Sequence, residues 1–281
     1  MSQARTARNG KAAKPASCRC QPARLGEPAR LGDLAVNKVV WVYAVASDLD
    51  PCRLAGLTGV GGEPVRAVAE AGLHAVVGSL DAAAFGEEAL ASFLADQANI
   101  ETIGRAHHRV VASVASDGPV VPLRIGTIYP DDVTISVLLA ERRAELALLL
   151  ESFRGAEEWG VKVYMEPWPD GAQDDPFTAS SSAQDGPLIR VPRWQQAETC
   201  AEEIDRALSD MAVATLRHAT PYPQFTDING WMVHSGVYLL DTERAAEFTE
   251  VVRKLTEEHA GLRADVTGPW PPYSFADRQE V

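Results

Sequence analysis

Val39-Val40-Trp41-Val42-Tyr43-Ala44-Val45 is the stretch on which the fold turns. Its β-branched and aromatic residues, uninterrupted and of strand length, read as a β-strand. Upstream, residues 1–37 are rich in Ala, Arg, Gly and Pro and hold a short tandem, Pro22-Ala-Arg-Leu-Gly-Glu then Pro28-Ala-Arg-Leu-Gly-Asp. Low complexity with few large apolar side chains predicts a disordered basic tail there. Downstream, a loop through Gly56, Gly59, Gly61, Gly62 and Pro64 leads to a second strand at Leu73–Leu80.

From Glu87 to about Ala115 the pattern is helical, with Leu90, Phe93, Leu94, Ile103, His107, Val110 and Val114 near one face and Asn99 as a point of interruption. Pro119–Ile128 reads as a strand whose internal Pro122 implies an edge or a bulge. Asp131 caps a helix with a stripe of Ile135, Leu138, Leu139, Leu146, Leu149 and Phe153, and Gly155 stands where a left-handed cap is wanted. Val161–Met165 alternates as a half-buried strand. Pro167–Pro187 is acidic and rich in Ser and Pro, a linker by composition.

Beyond it, Ala197, Cys200, Ile204, Leu208 and Met211 mark a helix from about Gln195 to His218. Trp231–Leu240 is a long strand, and Asp241 opens a helix carrying Ala245, Phe248, Val252 and Leu255 that ends at Gly261. Leu262–Thr267 is a short strand. The order predicts an α+β protein, because the long Val/Ile runs of a doubly wound parallel sheet are missing. Two domains are expected, each a small, mostly antiparallel sheet with helices on one face and the second ferredoxin-like. The boundaries are a tail at 1–37, a domain at 38–166, a linker at 167–190 and a domain at 191–281.

Charge narrows the function. The net charge of −13 conceals about +5 in residues 1–37 and −18 in the rest. An acidic body repels phosphate backbones and anionic headgroups, which excludes nucleic acid as the main partner. No apolar segment reaches the ~18 residues of a membrane helix, and no signal-like apolar core follows the basic start, so a cytoplasmic protein is expected. Cys18 and Cys20 form a lone C-x-C, Cys52 stands alone and Cys200 falls on an apolar helix stripe. Neither a zinc site nor a disulfide framework follows from that spacing.

No catalytic constellation emerges. His107 and His108 are adjacent, so on a helix they point about 100° apart and cannot chelate one metal side by side. The Gly56–Gly62 loop lacks the lysine of a phosphate loop and is followed by Glu63 and Pro64, which reads as a flexible turn. Arg124, inside an apolar strand, needs a carboxylate or backbone carbonyl. Glu157-Glu158 and Asp131-Asp132 suit capping and solvation. An enzyme or small-molecule sensor using His107, His108 and Arg124 is the alternative reading. Near the end, Gly268-Pro269-Trp270-Pro271-Pro272-Tyr273-Ser274-Phe275 offers three aromatics on a restricted backbone, either an intramolecular clasp or a docking peptide.

Four segments resemble the GvpF/GvpL family of gas vesicle proteins: Trp41–Val45, Val121-Pro122-Leu123-Arg124-Ile125-Gly126-Thr127, Trp159–Tyr164 and the terminal Gly268–Phe275. They occur in family order across residues 38–275. Pro187–Trp194 departs from the pattern, being thinner in basic residues than its counterpart. The resemblance marks Pro122, Arg124, Gly126, Trp270, Pro271, Pro272, Tyr273 and Phe275 as motif residues. It implies two α+β domains, the second a modified ferredoxin fold. It also implies a non-enzymatic assembly protein or minor vesicle component, without cofactor or metal, that binds the hydrophobic shell subunit GvpA and other vesicle proteins.

Overall fold

The computed structural model describes residues 37–93, 95–165, 193–220, 231–259 and 261–276. The expected tail at 1–37, apart from Asn37, and the linker at 167–190 therefore lie outside the described residues.

The opening apolar run is strand β1 (Lys38–Ala46), and it is uninterrupted because both of its faces are covered. Val40, Val42 and Val45 enter one core cluster, while Trp41, Tyr43, Ala44 and Ala46 enter another. Alternation breaks between Val42 and Ala44, where the register with the next strand shifts. That bulge places Tyr43 and Ala44 in the same cluster.

Strand β1 pairs with β3 (Leu73–Asp81), which pairs in turn with β2 (Val65–Glu70). On its other side β1 pairs with two short pieces, β4 (Val120–Pro122) and β5 (Ile128–Tyr129). The sheet order is β2-β3-β1-β4, with β5 beside β1, and every pairing is antiparallel.

Helices α1 (Ala82–Phe85), α2 (Glu87–Phe93) and α3 (Gln97–Ala115) follow β3. The interruption falls before Asn99, where Asp96 accepts from the Ala98 amide at 2.9 Å and caps α3. Ile103, Val110, Val111 and Val114 of α3 cover the Trp41 face. The expected helix after Asp131 is two helices, α4 (Asp132–Glu141) and α5 (Arg143–Ser152), divided at Arg142. Their Ile135, Leu139, Leu146 and Leu150 cover the opposite face. Helices on one face alone were expected here; the sheet is covered on both.

Strand β6 (Ala156–Met165) belongs to the second sheet, which moves the boundary expected at 166 toward the N-terminus. Helix α6 (Arg193–Ser209), strand β7 (Ala214–Arg217), strand β8 (Trp231–Asp241), helix α7 (Ala245–Glu258) and strand β9 (Leu262–Trp270) follow. The sheet order is β7-β8-β6-β9, all antiparallel, a split β-α-β-β-α-β arrangement. β6 is central, paired along its length with β8 and β9, so it cannot be separated from this half.

Residues expected to extend the previous helix to His218 form β7 instead, docked on β8. Asp241 makes no side-chain cap; a short 3-10 turn at Thr242–Arg244 comes before α7. Ile204 and Leu208 of α6 and Phe248 and Val252 of α7 cover one sheet face. Leu239, with Ala214, Leu216 and Val237, turns to the other face and joins the α4–α5 core of the first half. Cys200 is a free thiol.

Candidate functional site

Two of the segments singled out in the sequence, Val121–Thr127 and the terminal Gly268–Phe275, meet at a cleft of about 330 Å³ beside α3. Its floor is the peptide from Pro122 to Ile125, and its walls include Gly104, His107, His108 and Tyr273.

Pro122 pairs with Ala44 at the end of β4, and the Leu123 amide donates to the Tyr43 carbonyl at 2.9 Å. The chain then leaves the sheet, turns through Gly126 at φ 90°, and returns as β5. A Cβ at that φ is strained, which is why glycine stands there. Thr127 closes the turn, its amide and hydroxyl both donating to the Arg124 carbonyl at 3.1 and 2.8 Å. Arg124 is thus on an exposed turn rather than inside an apolar strand. The apparent single strand at 119–128 is two short pieces flanking an excursion at the β1 bulge.

His107 is 1% exposed and faces the core. The Trp41 indole N–H donates to its Nδ1 at 3.0 Å, and its Nε2 lies 3.0 Å from the Leu123 carbonyl. Indole only donates and carbonyl only accepts, so the ring is the neutral Nε2–H tautomer with both nitrogens in use. Burial pushes its pKa down to about 4. Such a ring cross-links β1, the Leu123 turn and α3, and has no nitrogen left for metal or proton transfer. His108 stands at the cleft wall, with the Trp270 ring edge-on at 5.0 Å and the Tyr273 hydroxyl 3.4 Å from Nδ1. Partial burial lowers its pKa.

The terminal motif is divided in its contacts. Trp270 ends β9 opposite Glu158 of β6 and is 41% exposed. Helix α8 (Tyr273–Ala276) follows. Tyr273 packs against the Trp41 cluster, with its ring 6.4 Å from His107, and Phe275 is buried in the other core of the first half. Glu158, read from sequence as a solvated strand-end acid, is buried. It accepts from the Ser274 amide at 2.7 Å and hydroxyl at 2.8 Å. Burial nevertheless raises its pKa above the usual carboxylate range. The motif therefore ties the second sheet to both cores of the first half.

An apolar ledge runs along the cleft. Ile100, Gly104 and His108 follow at i+4 spacing along one face of α3. Ile125 lies over Gly104, its Cδ1 3.7 Å from where a Cβ would stand, and Trp270 lies against His108. Ile100, Ile125 and Trp270 are each about 40% exposed. The bare Cα of Gly104 lets Ile125 close down on the helix.

The Gly56–Gly62 loop carries backbone hydrogen bonds of its own, the Gly59 amide donating to the Glu63 carbonyl at 2.8 Å and the Gly62 amide to the Gly59 carbonyl at 3.2 Å. Glu63 points inward, taking the Tyr43 hydroxyl at 2.5 Å on Oε1 and the Gly61 amide at 2.9 Å on Oε2. A Cβ at Gly59 or Gly78 would stand 1.9 or 2.1 Å from Oε1, so both glycines make room for this carboxylate. Burial is the chief cause of the rise in the Tyr43 pKa, reinforced by Glu63.

The second half has its own buried polar group. The Tyr238 hydroxyl donates to Asp205 at 2.8 Å, which leaves its oxygen to accept from His234 Nε2 at 2.9 Å. Gly236 lies between them on the same strand face; a Cβ there would meet the Tyr238 oxygen at 2.7 Å and His234 Nε2 at 2.8 Å. On α6, Cys200 Sγ lies 3.2 Å from His259 Nδ1, and burial raises the thiol pKa. Nothing in the sequence pattern pointed to these pairs. Among the described residues no group of three His, Cys, Asp or Glu is placed to hold a metal ion, and no helix is long and apolar enough to cross a membrane.

The motif segments were suggestive singly; two of them joined in one cleft invite comparison with whole chains. A family model described as gas vesicle synthesis protein GvpL/GvpF matches residues 39–277. This chain belongs to the GvpL/GvpF family. It is 31% identical to gas vesicle protein L of Streptomyces sp. (strain CB03234) over 253 residues, spanning 86% of this chain and 94% of that protein. It is 25% identical to gas vesicle protein F of the same organism, over 84% of this chain and 99% of that one. The fold is similar to the crystal structures of GvpF from Anabaena sp. PCC7120 and from Microcystis aeruginosa. Each gives a TM-score of 0.61 at 18% identity and covers 85% of this chain and 98% of the other. The family match runs through every element from β1 to the terminal motif, so the cleft lies wholly within the GvpL/GvpF region.

Proposed function

We propose that this GvpL/GvpF protein is a non-enzymatic assembly factor of gas vesicles. It acts in the cytoplasm during early vesicle formation, holding the hydrophobic shell subunit GvpA, contacting other vesicle proteins and remaining as a minor vesicle component. The family match across residues 39–277 carries the reading. The second half, with strand order β7-β8-β6-β9, is read as a modified ferredoxin-like domain used as scaffold.

The physical problem suits such a protein. A shell that excludes water is built from subunits with large apolar faces, and these aggregate before assembly unless covered. A carrier with an acidic body keeps loaded complexes apart by self-repulsion. The ledge of Ile100, Ile125 and Trp270 is the surface assigned to the subunit. It is apolar, continuous and carried on elements held rigid by His107 and Glu158. The alternative, catalysis or sensing through His107, is disfavoured by a ring whose two nitrogens are both occupied.

Co-expression of the shell subunit with and without this chain tests the reading. The soluble fraction of the subunit is expected to rise when the chain is present and the two to co-purify. Equal solubility in both conditions would refute it.

A further inference from the structure

The strands that end the two sheets differ in how they are guarded. β4 and β5 are three and two residues long, and β7 is four. β2 is clipped by Arg66, which donates to both oxygens of Asp132 at 2.8 and 2.7 Å. Its turn is held by Arg143, which donates to the Ala71 carbonyl at 2.9 Å. β9 is nine residues long and pairs with β6 alone; among the described residues its outer edge has no backbone partner. An edge of that length is a template for another strand unless something blocks it.

The first six residues of β9, Leu262-Arg263-Ala264-Asp265-Val266-Thr267, contain no proline and alternate apolar and polar. Leu262, Ala264 and Val266 pack toward the α6–α7 core but remain half-buried, whereas Val161 and Val163 on the neighbouring β6 are fully buried. The apolar face is left incomplete at this edge.

We propose that β9 pairs antiparallel with β9 of a second copy of this chain about a two-fold axis at Ala264, joining the two four-stranded sheets edge to edge. Charge selects the register. Centred on Ala264, Arg263 lies opposite the partner's Asp265, and Asp265 opposite the partner's Arg263. Centring on residue 263 sets Arg against Arg, and centring on residue 265 sets Asp against Asp, both unfavourable cross-strand pairs. A one-residue slip between the copies sets the partner's Leu262 and Val266 on the face opposite this chain's helix layer.

In the chosen register Leu262 meets the partner's Val266 on the core side, completing the half-covered face. In the single chain Arg263 already contacts Asp265 and lies over the Tyr164 ring at 4.6 Å, so both charges are held at the edge. The pairing uses residues 262–267 and is independent of the vesicle reading. Six residues span only about 20 Å, a small contact, so a dissociation constant of order 0.1 mM is expected.

Light scattering and sedimentation of the full chain, from about 10 µM to about 1 mM, test it. The mass is expected to rise from 30.2 kDa toward twice that value across the series. Arg263→Asp weakens the association at least ~10-fold by placing like charges opposite each other at both pairs. Asp265→Arg does the same, and supplies the reading if the first variant fails to fold. The double exchange R263D/D265R restores dimerisation, because it rebuilds the cross-strand pairs with their signs reversed. A mass that stays monomeric throughout overturns the proposal and leaves the edge for a strand of another protein. A dimer indifferent to both single exchanges, or not rescued by the double one, overturns it equally.

Discussion

Each half of the molecule buries one histidine almost completely, and the two are handled differently. His107 is 1% exposed with both nitrogens hydrogen-bonded, to groups 66 and 16 residues away in sequence. His234 is 0% exposed but uses only Nε2, toward Tyr238 four residues along the same strand, and its buried Nδ1 has no partner among the described residues. Equal burial therefore does not mean equal function. His107 joins three elements at the floor of the cleft, whereas His234 completes a local chain that ends on Asp205. The first half spends its polar interior on fixing the cleft; the second half keeps a polar chain within its own sheet and helix.

That contrast can be broken most directly by removing the rings. His107→Ala leaves the Trp41 N–H and Leu123 carbonyl unpaired and opens a cavity, so a loss of about 3–5 kcal/mol is expected in urea unfolding. His234→Ala strands only the Tyr238 hydroxyl on one side and is expected to cost less. An equal or larger loss at His234 would invert the comparison.

Acid sharpens it further. The folded pKa of His107, about 4, lies below the unfolded value near 6.5. Between these values the unfolded chain binds a proton that the folded chain refuses, so stability is full above pH ~6.5 and falls as pH drops toward ~4. The full loss from His107 is roughly 3 kcal/mol. Burial depresses His234 in the same direction. Stability curves against pH should lose about one proton of slope in a His107→Gln variant; an unchanged slope would show that His107 is not held neutral.

The tail comes next. Ser274→Ala removes one of the two bonds to Glu158, and about 1–2 kcal/mol with faster amide exchange across residues 270–276 is expected. Protection unchanged there would mean that Phe275 alone holds the segment.

What the sequence disclosed follows the same division. β1 was legible because a strand covered on both faces is apolar without interruption, and the terminal motif because its prolines and aromatics are so specific. β2 was not: Val65 and Val68, three apart, are its buried residues, so the alternation that marks a strand is absent. Its hairpin turn is Ala71-Gly72, with φ of 52° and 80°, and lacks the Asn or Asp that normally announces two left-handed residues. Glu158 looked solvated because the serine that accommodates it lies elsewhere in the chain, Ser274 at a separation of 116 residues. Arg124 was misplaced because Pro119–Ile128 is apolar enough to pass for one strand, and only the β1 bulge opens the turn that exposes it.

The β2–β3 hairpin turn supplies the smallest effect. Ala71→Asn suits the left-handed backbone and should stabilise the first half by about 0.5 kcal/mol, raising the melting temperature slightly without touching the cleft. A decrease would mean that the turn is not left-handed at that residue.

The claim that the cleft ledge holds the shell subunit is tested most directly by Ile125→Glu, an exposed substitution on a turn, in a binding titration with purified shell subunit. At least a ~10-fold weaker association is expected with the melting temperature unchanged, since a charge placed on an apolar contact must be desolvated without a partner. Wild-type affinity in that variant would contradict the account.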